Sequence, residues 1–254
     1  MKQSYWFIGM LICFVFSISS NLLAQNSFVT SQKGFTKSIG FNKLEDTLKQ
    51  QFKSKELSWP PQSVYIRSFK YDRIMELWVK NINTDTFTLF KTYKVCMQSG
   101  SLGPKRSEGD KQVPEGFYYI NEFNSKSNYH LALGLNYPNA ADKVLSDVKN
   151  PGGDIYIHGN CVSTGCIAIQ DLPIEEVFTI ASLAKSNGQD FIPVHIYPVY
   201  YSIKKSSEYL ASSNKNKQLD VNAGLSLKAV FDSFEKNKKL PVIIVNKKGE
   251  YSIN

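Results

Sequence analysis

The chain has 254 residues, 42% of them hydrophobic and 13% aromatic. That is enough apolar material for one large domain, or one domain with an appendage, and it excludes an intrinsically disordered chain. The formal charge is +8, which suits an anionic partner surface, but the lysines are scattered, as in Lys204-Lys205 and Lys236-Asn237-Lys238-Lys239. No basic helix with interleaved aromatics is present, so nucleic acid is not an expected partner.

The chain opens like an export signal. Lys2 precedes an apolar run from Tyr5 to Ile18, and Ala24 offers a small residue before the polar Gln25. A membrane span needs about 20 apolar residues, so residues 1–24 are expected to be cleaved rather than to anchor, leaving no stable span. No Cys follows the run where a lipid anchor would need one. Residues 25–62 read as a linker with one helix: Leu44, Leu48 and Phe52 recur at helical spacing over Lys43 to Glu56, and Pro60-Pro61 stops it.

The period then changes to two. Val64 to Phe69, Ile74 to Ile82 and Phe87 to Met97 are rich in Tyr, Phe, Val, Thr and Trp and predict a meander of three strands. A long loop follows from Ser99 to Asp110; loops of that length in compact domains are usually functional or mobile. Phe117 to Ile120, Tyr129 to Leu135 and Asp154 to His158 predict further strands. Pro173 marks a helix start, Val177, Ile180, Ala181 and Ala184 give Ile174 to Lys185 an apolar face, and Gly188 ends it. Phe191 to Tyr200 reads as an edge strand because Pro193 and Pro198 interrupt it. Beyond Lys204 the chain is polar and Lys-rich, then amphipathic over Leu225 to Lys238, with a short strand at Pro241 to Val245. The expected architecture is mainly β (α+β), a sandwich or barrel with one or two packed helices over residues 63–200, and a small C-terminal appendage over 201–254.

Four cysteines are present. Cys13 lies in the signal, leaving Cys96, Cys161 and Cys166, an odd number in an exported protein. Cys96 sits in an apolar-alternating run and reads as a buried, inert thiol. The informative segment is Ile157-His158-Gly159-Asn160-Cys161-Val162-Ser163-Thr164-Gly165-Cys166-Ile167-Ala168-Ile169. A strand delivers His158, glycine turns the chain, and a second turn presents Cys166. A free thiol is mostly protonated at neutral pH, so a nucleophilic Cys needs a neighbouring base, and that base needs an orienting group. Gly165 removes bulk beside the thiol and lets nearby amides face a developing oxyanion. Two other readings stay open at this point: a zinc site using His158, Cys161 and Cys166, with His130 or His195 completing it, and a Cys161–Cys166 disulfide beside a structural His158.

His158-Gly159 followed by Ser163-Thr164-Gly165-Cys166 resembles the signature of the L,D-transpeptidases, the YkuD-like family. The longer string through Asp171 is similar to the YafK-like branch, as are Gly103-Pro104-Lys105, Glu108-Gly109-Asp110, Pro114-Glu115-Gly116-Phe117-Tyr118 and Leu135-Asn136-Tyr137-Pro138-Asn139, in the same order. The resemblance covers about Val64 to Tyr197. It implies Cys166 as nucleophile, His158 as base, the Gly159 carbonyl as its orienting group, and the amides of Gly165 and Cys166 as oxyanion hole. It implies peptidoglycan stem peptides as partners, no metal or organic cofactor, and, with the signal, a place in the periplasm or cell envelope. Thr164 stands where most of the wider family has His, and Ala168 where it has Arg or Asn. A hydrolase on the same fold, cutting an amide between wall peptide and a wall-linked protein or another stem, is the alternative, and a non-catalytic wall-binding module the second.

Several supporting residues carry two readings each. Ser163, Thr164 and His130 could touch substrate, and Lys105 and Arg106 on the long loop could meet stem carboxylates. Asp171 reads equally as a helix N-cap or a catalytic group, Glu115 as a turn residue, and Tyr118 and Tyr137 as core aromatics.

Overall fold

The computed structural model describes residues 39–217 and 221–254, so the expected signal segment 1–24 lies outside the described residues. The elements, in chain order, are α1 (Ile39–Ser54), β1 (Ser63–Phe69), β2 (Ile74–Lys80), β3 (Phe87–Lys94), β4 (Gly116–Ser127), β5 (His130–Leu135), α2 (Ala140–Leu145), β6 (Tyr156–His158), β7 (Ile167–Ala168), α3 (Asp171–Ser186), β8 (Pro193–Tyr197), α4 (Lys204–Lys217), α5 (Val221–Asn237), β9 (Ile243–Val245) and β10 (Tyr251–Ile253). Among the described residues no helix is long and apolar enough to cross a membrane.

Eight strands form one mixed sheet in the order β3-β2-β1-β8-β4-β5-β6-β7, and β9 and β10 form a separate hairpin. The β1–β8 and β6–β7 pairs are parallel, and the other pairs are antiparallel. Just past β3, Met97 bridges Ala168 of β7. The chain leaving one edge strand thereby pairs with the other edge strand, and the sheet closes on itself at that end. The class is the α+β one expected from the strand pattern.

Alternation explains how the sheet is buried on two faces. In β1, Val64 and Ile66 join the main core, while Tyr65 and Phe69 point to clusters on the opposite face. In β8, Val194 and Ile196 face the main core and Tyr197 the other side. Helix α3 contributes Ile174, Val177, Phe178, Ile180, Ala181 and Ala184 to the main core. Each large apolar side chain buried this way contributes about 1.5–3 kcal/mol. Helix α5 covers the opposite face with Leu227, Phe231 and Phe234.

Phe191 to Tyr200 departs from expectation. β8 is a central strand, paired with β1 on one side and β4 on the other. Its prolines do not interrupt it, because Pro193 is its first residue and Pro198 falls just beyond its last, the positions where a missing N–H costs a ladder least. The residues past 204 form two helices and a hairpin, and α5 packs into the sheet rather than standing apart. It is held by Arg67 of β1, which is fully buried. Arg67 pairs with Glu76 of β2 and, at 2.5 Å, with Glu235 of α5. Its guanidinium lies within 5.5 Å of the ring centres of Phe69, Trp78, Tyr200, Phe231 and Phe234.

His195 of β8 is buried beside this cluster, with Nδ1 2.9 Å from the Tyr65 hydroxyl. Burial, with a smaller contribution from Arg67, pushes its pKa from 6.5 down to about 3. The unfolded chain therefore binds a proton that the folded chain refuses between those values. The stabilising effect is complete above about pH 6.5 and is lost as pH falls toward 3, at up to about 1.4 kcal/mol per pH unit. Urea melts from pH 7 to pH 5 are expected to show this acid slope, and a His195→Asn chain is expected to show a shallower one; equal slopes would refute the assignment.

Candidate active site

The parallel pair β6–β7 places the two residues singled out by the sequence. Its register sets Ile157 against Ile167 and His158 against Ala168. Ile157, Ile167 and Ile169 enter the main core, so strand alternation turns His158 to the other face, together with Ala168. Cys166 stands in the bend just before β7, two residues ahead of Ala168, where continued alternation puts it on that same face. The two side chains are thus on one side of the sheet, and α3 is on the other.

His158 is only 2% exposed. Its Nδ1 lies 2.6 Å from the Gly159 carbonyl oxygen. A carbonyl only accepts, so Nδ1 carries the proton and Nε2 of the neutral ring presents its lone pair. The Tyr129 ring lies over the imidazole, centroid to centroid 4.7 Å and tilted 34°. Burial lowers the His158 pKa, and the Gly159 hydrogen bond works against that shift.

Gly159 has a local reason to be glycine. A Cβ there would stand 2.7 Å from both the Tyr129 carbonyl and the Asp171 carboxylate. Beyond it, Ile169 N–H donates to the His158 carbonyl at 3.0 Å and Gln170 N–H to the Asn160 carbonyl at 3.1 Å. Asn160 and Gln170 both have positive φ, 56° and 72°, which costs about 1–2 kcal/mol per non-glycine residue. The turn after the histidine is therefore zipped onto the turn that enters α3.

Cysteine pairing corrects two expectations. Cys96 is not an inert thiol: it forms a disulfide with Cys161, with Cα atoms 5.7 Å apart. This pairing replaces the Cys161–Cys166 disulfide and removes Cys161 from any thiolate ligand set, so the zinc reading loses the cluster it required. Cys166 is left as a free thiol, partly exposed. Its Sγ–H is directed at the Asp154 carbonyl, 3.5 Å away, and is not hydrogen-bonded to His158. Burial raises its pKa; the Tyr156 backbone amide and Lys105 act to lower it, and Asp154 to raise it. With the thiol pushed up and the imidazole pushed down, the resting pair is neutral. Iodoacetamide labelling of Cys166 in the free protein is accordingly expected to climb through alkaline pH. A thiolate plateau below pH 7 would contradict this.

The amides of Gly165 and Cys166 converge on one oxygen. In this structure that oxygen is Ser163 Oγ, at 3.2 and 3.1 Å, and the hydroxyl donates to the Cys166 carbonyl at 2.7 Å. Ser163 thus shapes the turn that presents the thiol, while Thr164 is exposed.

The long loop is clamped rather than loose. Lys105 is buried, and its Nζ donates to Asp110 at 2.7 Å and to the Ser107 carbonyl at 2.8 Å. Burial would raise the Asp110 pKa, but Lys105 and the backbone amides of Arg106, Gln112 and Ser107 bring it down to about 2. Lys70 and Glu115 form a second buried ion pair, 3.0 Å apart, under the same loop. Lys105 is therefore committed inside the protein and not offered to a substrate carboxylate, and Glu115 is an ion-pair partner rather than a mere turn residue. The Arg106 guanidinium makes no ion pair among the described residues.

His130, with φ of 73°, pairs with Glu175 of α3 at 2.7 Å. Tyr118 and Tyr137 are core residues whose hydroxyls donate to Asp142 at 3.0 Å and to the Pro151 carbonyl at 2.9 Å. Asp171 is not an N-cap. The cap position is Gln170, and the Asp171 carboxylate accepts the Asn160 N–H at 2.6 Å. Tyr129 and the Asp154 carbonyl had no signal in the sequence, since the first is one exposed aromatic among many and the second a main-chain atom.

A buried histidine and an unpaired cysteine on one face of a closed mixed sheet define the class, and the chain belongs to the L,D-transpeptidase catalytic domain (YkuD) family, whose family model matches residues 70–196. That family acts on peptidoglycan stem peptides. Over 219 residues the chain is 32% identical to YafK of Escherichia coli strain K12, itself named an L,D-transpeptidase only provisionally. The match covers 85% of this chain and 82% of that one, and the same figures hold for YafK of Escherichia coli O157:H7. Among solved structures, the helical cell shape determining protein Pgp2 from Campylobacter jejuni aligns with a TM-score of 0.43 at 24% identity, over 54% of this chain and 48% of that chain. Bd1075 of Bdellovibrio bacteriovorus aligns at 0.40 and 18% identity, over 62% of this chain and 57% of that chain.

Proposed function

We propose that this chain is an exported cysteine L,D-transpeptidase that acts on peptidoglycan stem peptides through a thioester on Cys166. The observation that carries this reading is the unpaired Cys166 on the same sheet face as an imidazole whose Nε2 is free to take a proton. The thiol leaves the Asp154 carbonyl and turns toward His158, a realignment ordinary for catalytic pairs that tighten only around substrate. His158 Nε2 takes the Sγ proton as the sulfur attacks an L-centre carbonyl of the stem. The carbon–nitrogen bond then breaks, the imidazolium returns the proton to the leaving amine, and a thioester remains. An incoming amine resolves it in transfer, and water in hydrolysis.

The amides of Gly165 and Cys166 are the proposed oxyanion hole. They already converge on one oxygen, so the tetrahedral oxyanion needs to displace only the Ser163 hydroxyl. Arg106 is the proposed contact for a stem carboxylate. The signal-like first 24 residues support export to the periplasm or cell envelope as part of this reading.

Purified tetrapeptide-stem muropeptides, incubated with and without an acceptor amine and read by mass spectrometry, test this. Cross-linked product supports the transferase. Shortened stems with either mixture favour the hydrolase on the same fold, and its substrate could then be a wall-linked protein. Unchanged stems favour a wall-binding module.

A further inference from the structure

We propose that Asp171 is a positioning residue for His158, acting through the single peptide group that joins Gly159 to Asn160. The inference rests on the assignment of His158 as base. One end of that peptide is the Gly159 carbonyl, 2.6 Å from His158 Nδ1. The other end is the Asn160 N–H, which donates to Asp171 Oδ1 at 2.6 Å. Carbonyl and N–H belong to one resonance-stiffened plane, so fixing the second orients the first. Asp171, the peptide and the imidazole then form a line of hydrogen bonds in which each bond polarises the next. A carboxylate at the N–H end draws electron density toward the carbonyl oxygen, which holds an imidazolium better than an unaided carbonyl would. The role parallels that of the acid in a nucleophile–base–acid triad, displaced by one peptide unit and carried by an exposed residue.

The surroundings fit this role. The absent side chain at Gly159 leaves the space that the Asp171 carboxylate occupies, since a Cβ there would stand 2.7 Å from Oδ1. Asn160 holds a positive φ, and its own side chain accepts the Cys161 N–H at 2.6 Å. The same turn is thereby fixed on its far side, next to the Cys96–Cys161 disulfide. Asp171 sits at the first turn of α3, where the helix dipole favours its negative charge. The other ionisable residues beside this peptide are Tyr129, whose ring covers the His158 imidazole, and His130, whose Cβ lies 3.0 Å from the position of a Cβ at Gly159, with its partner Glu175. His130 Nε2 and Glu175 Oε1 lie 2.7 Å apart and are engaged with each other, so Asp171 is the carboxylate that addresses the peptide.

The test compares Asp171→Ala, Asp171→Asn and His158→Ala in the full chain. The readouts are the rate of Cys166 thioester formation with a tetrapeptide-stem muropeptide, by intact mass, and the acid limb of its pH profile. Asp171→Ala is expected to slow acylation on the order of 10-fold, as misplacement of a catalytic group does, and to move the acid limb to lower pH. Asp171→Asn keeps an acceptor for the Asn160 N–H and is expected to recover most of the rate while leaving the limb displaced. Wild-type behaviour of Asp171→Ala, or a slowed rate with an unmoved limb, overturns the inference while His158→Ala stays inactive. Full acylation by His158→Ala instead overturns the assignment of the base itself.

Discussion

Replacing Cys166 with alanine is expected to abolish thioester formation and all processing of stem peptides, a loss on the order of 10⁴-fold or more. The chain should still fold, because Cys166 is the unpaired cysteine among the described residues, only partly buried, and its side chain makes a weak contact to a carbonyl. His158→Ala should cost about 10²–10⁴-fold, the usual worth of a positioned general base. The two losses should not add: with either residue gone, no activated thiolate forms, and the double variant should match Cys166→Ala alone. Turnover of muropeptides by each variant, alongside its thermal midpoint, checks this. Additive losses would mean that His158 acts on something other than Cys166.

The second large effect is on stability. Arg67→Ala is expected to cost about 3–5 kcal/mol, because it leaves a buried carboxylate without its partner. Glu76 is 4% exposed at its side chain and loses its cation, Glu235 loses its tie to β1, and the five surrounding rings lose what they enclose. The expected signature is a lower urea midpoint for the full chain. A loss below about 1 kcal/mol, the range of exposed ion pairs, would show that α5 is held by its aromatic residues and not by Arg67.

The sequence carried the strands whose two faces differ, and it carried the His158 to Cys166 spacing, because both signals are local. Val64 to Phe69 alternates visibly, and a strand ending in His-Gly shortly before a Gly-Cys turn predicts juxtaposition without knowledge of the rest. What was hidden depends on partners distant in sequence. Cys96 and Cys161 are separated by 65 positions, and nothing in the alternation around Cys96 reports what its sulfur meets. Arg67 is fully buried and paired with Glu235 of α5, a partner from the far end of the chain that the pattern of β1 does not report. The central place of β8 was masked by prolines that lie at its borders, and β4 runs on through the polar Asn121 to Ser127, where hairpin pairing, not hydrophobicity, sustains the strand. Asp171 was legible as a residue of interest, but its target is a main-chain N–H set by the turn at Asn160.

Intact-mass analysis with peptide mapping, after brief exposure of the chain to a tetrapeptide-stem muropeptide or a carbapenem, asks most directly whether sulfur 166 is the acyl acceptor. One acyl group per chain, located on the peptide containing Cys166 and absent from His158→Ala under the same exposure, is the predicted result. A chain of unchanged mass, or an adduct mapped to another residue, would contradict it.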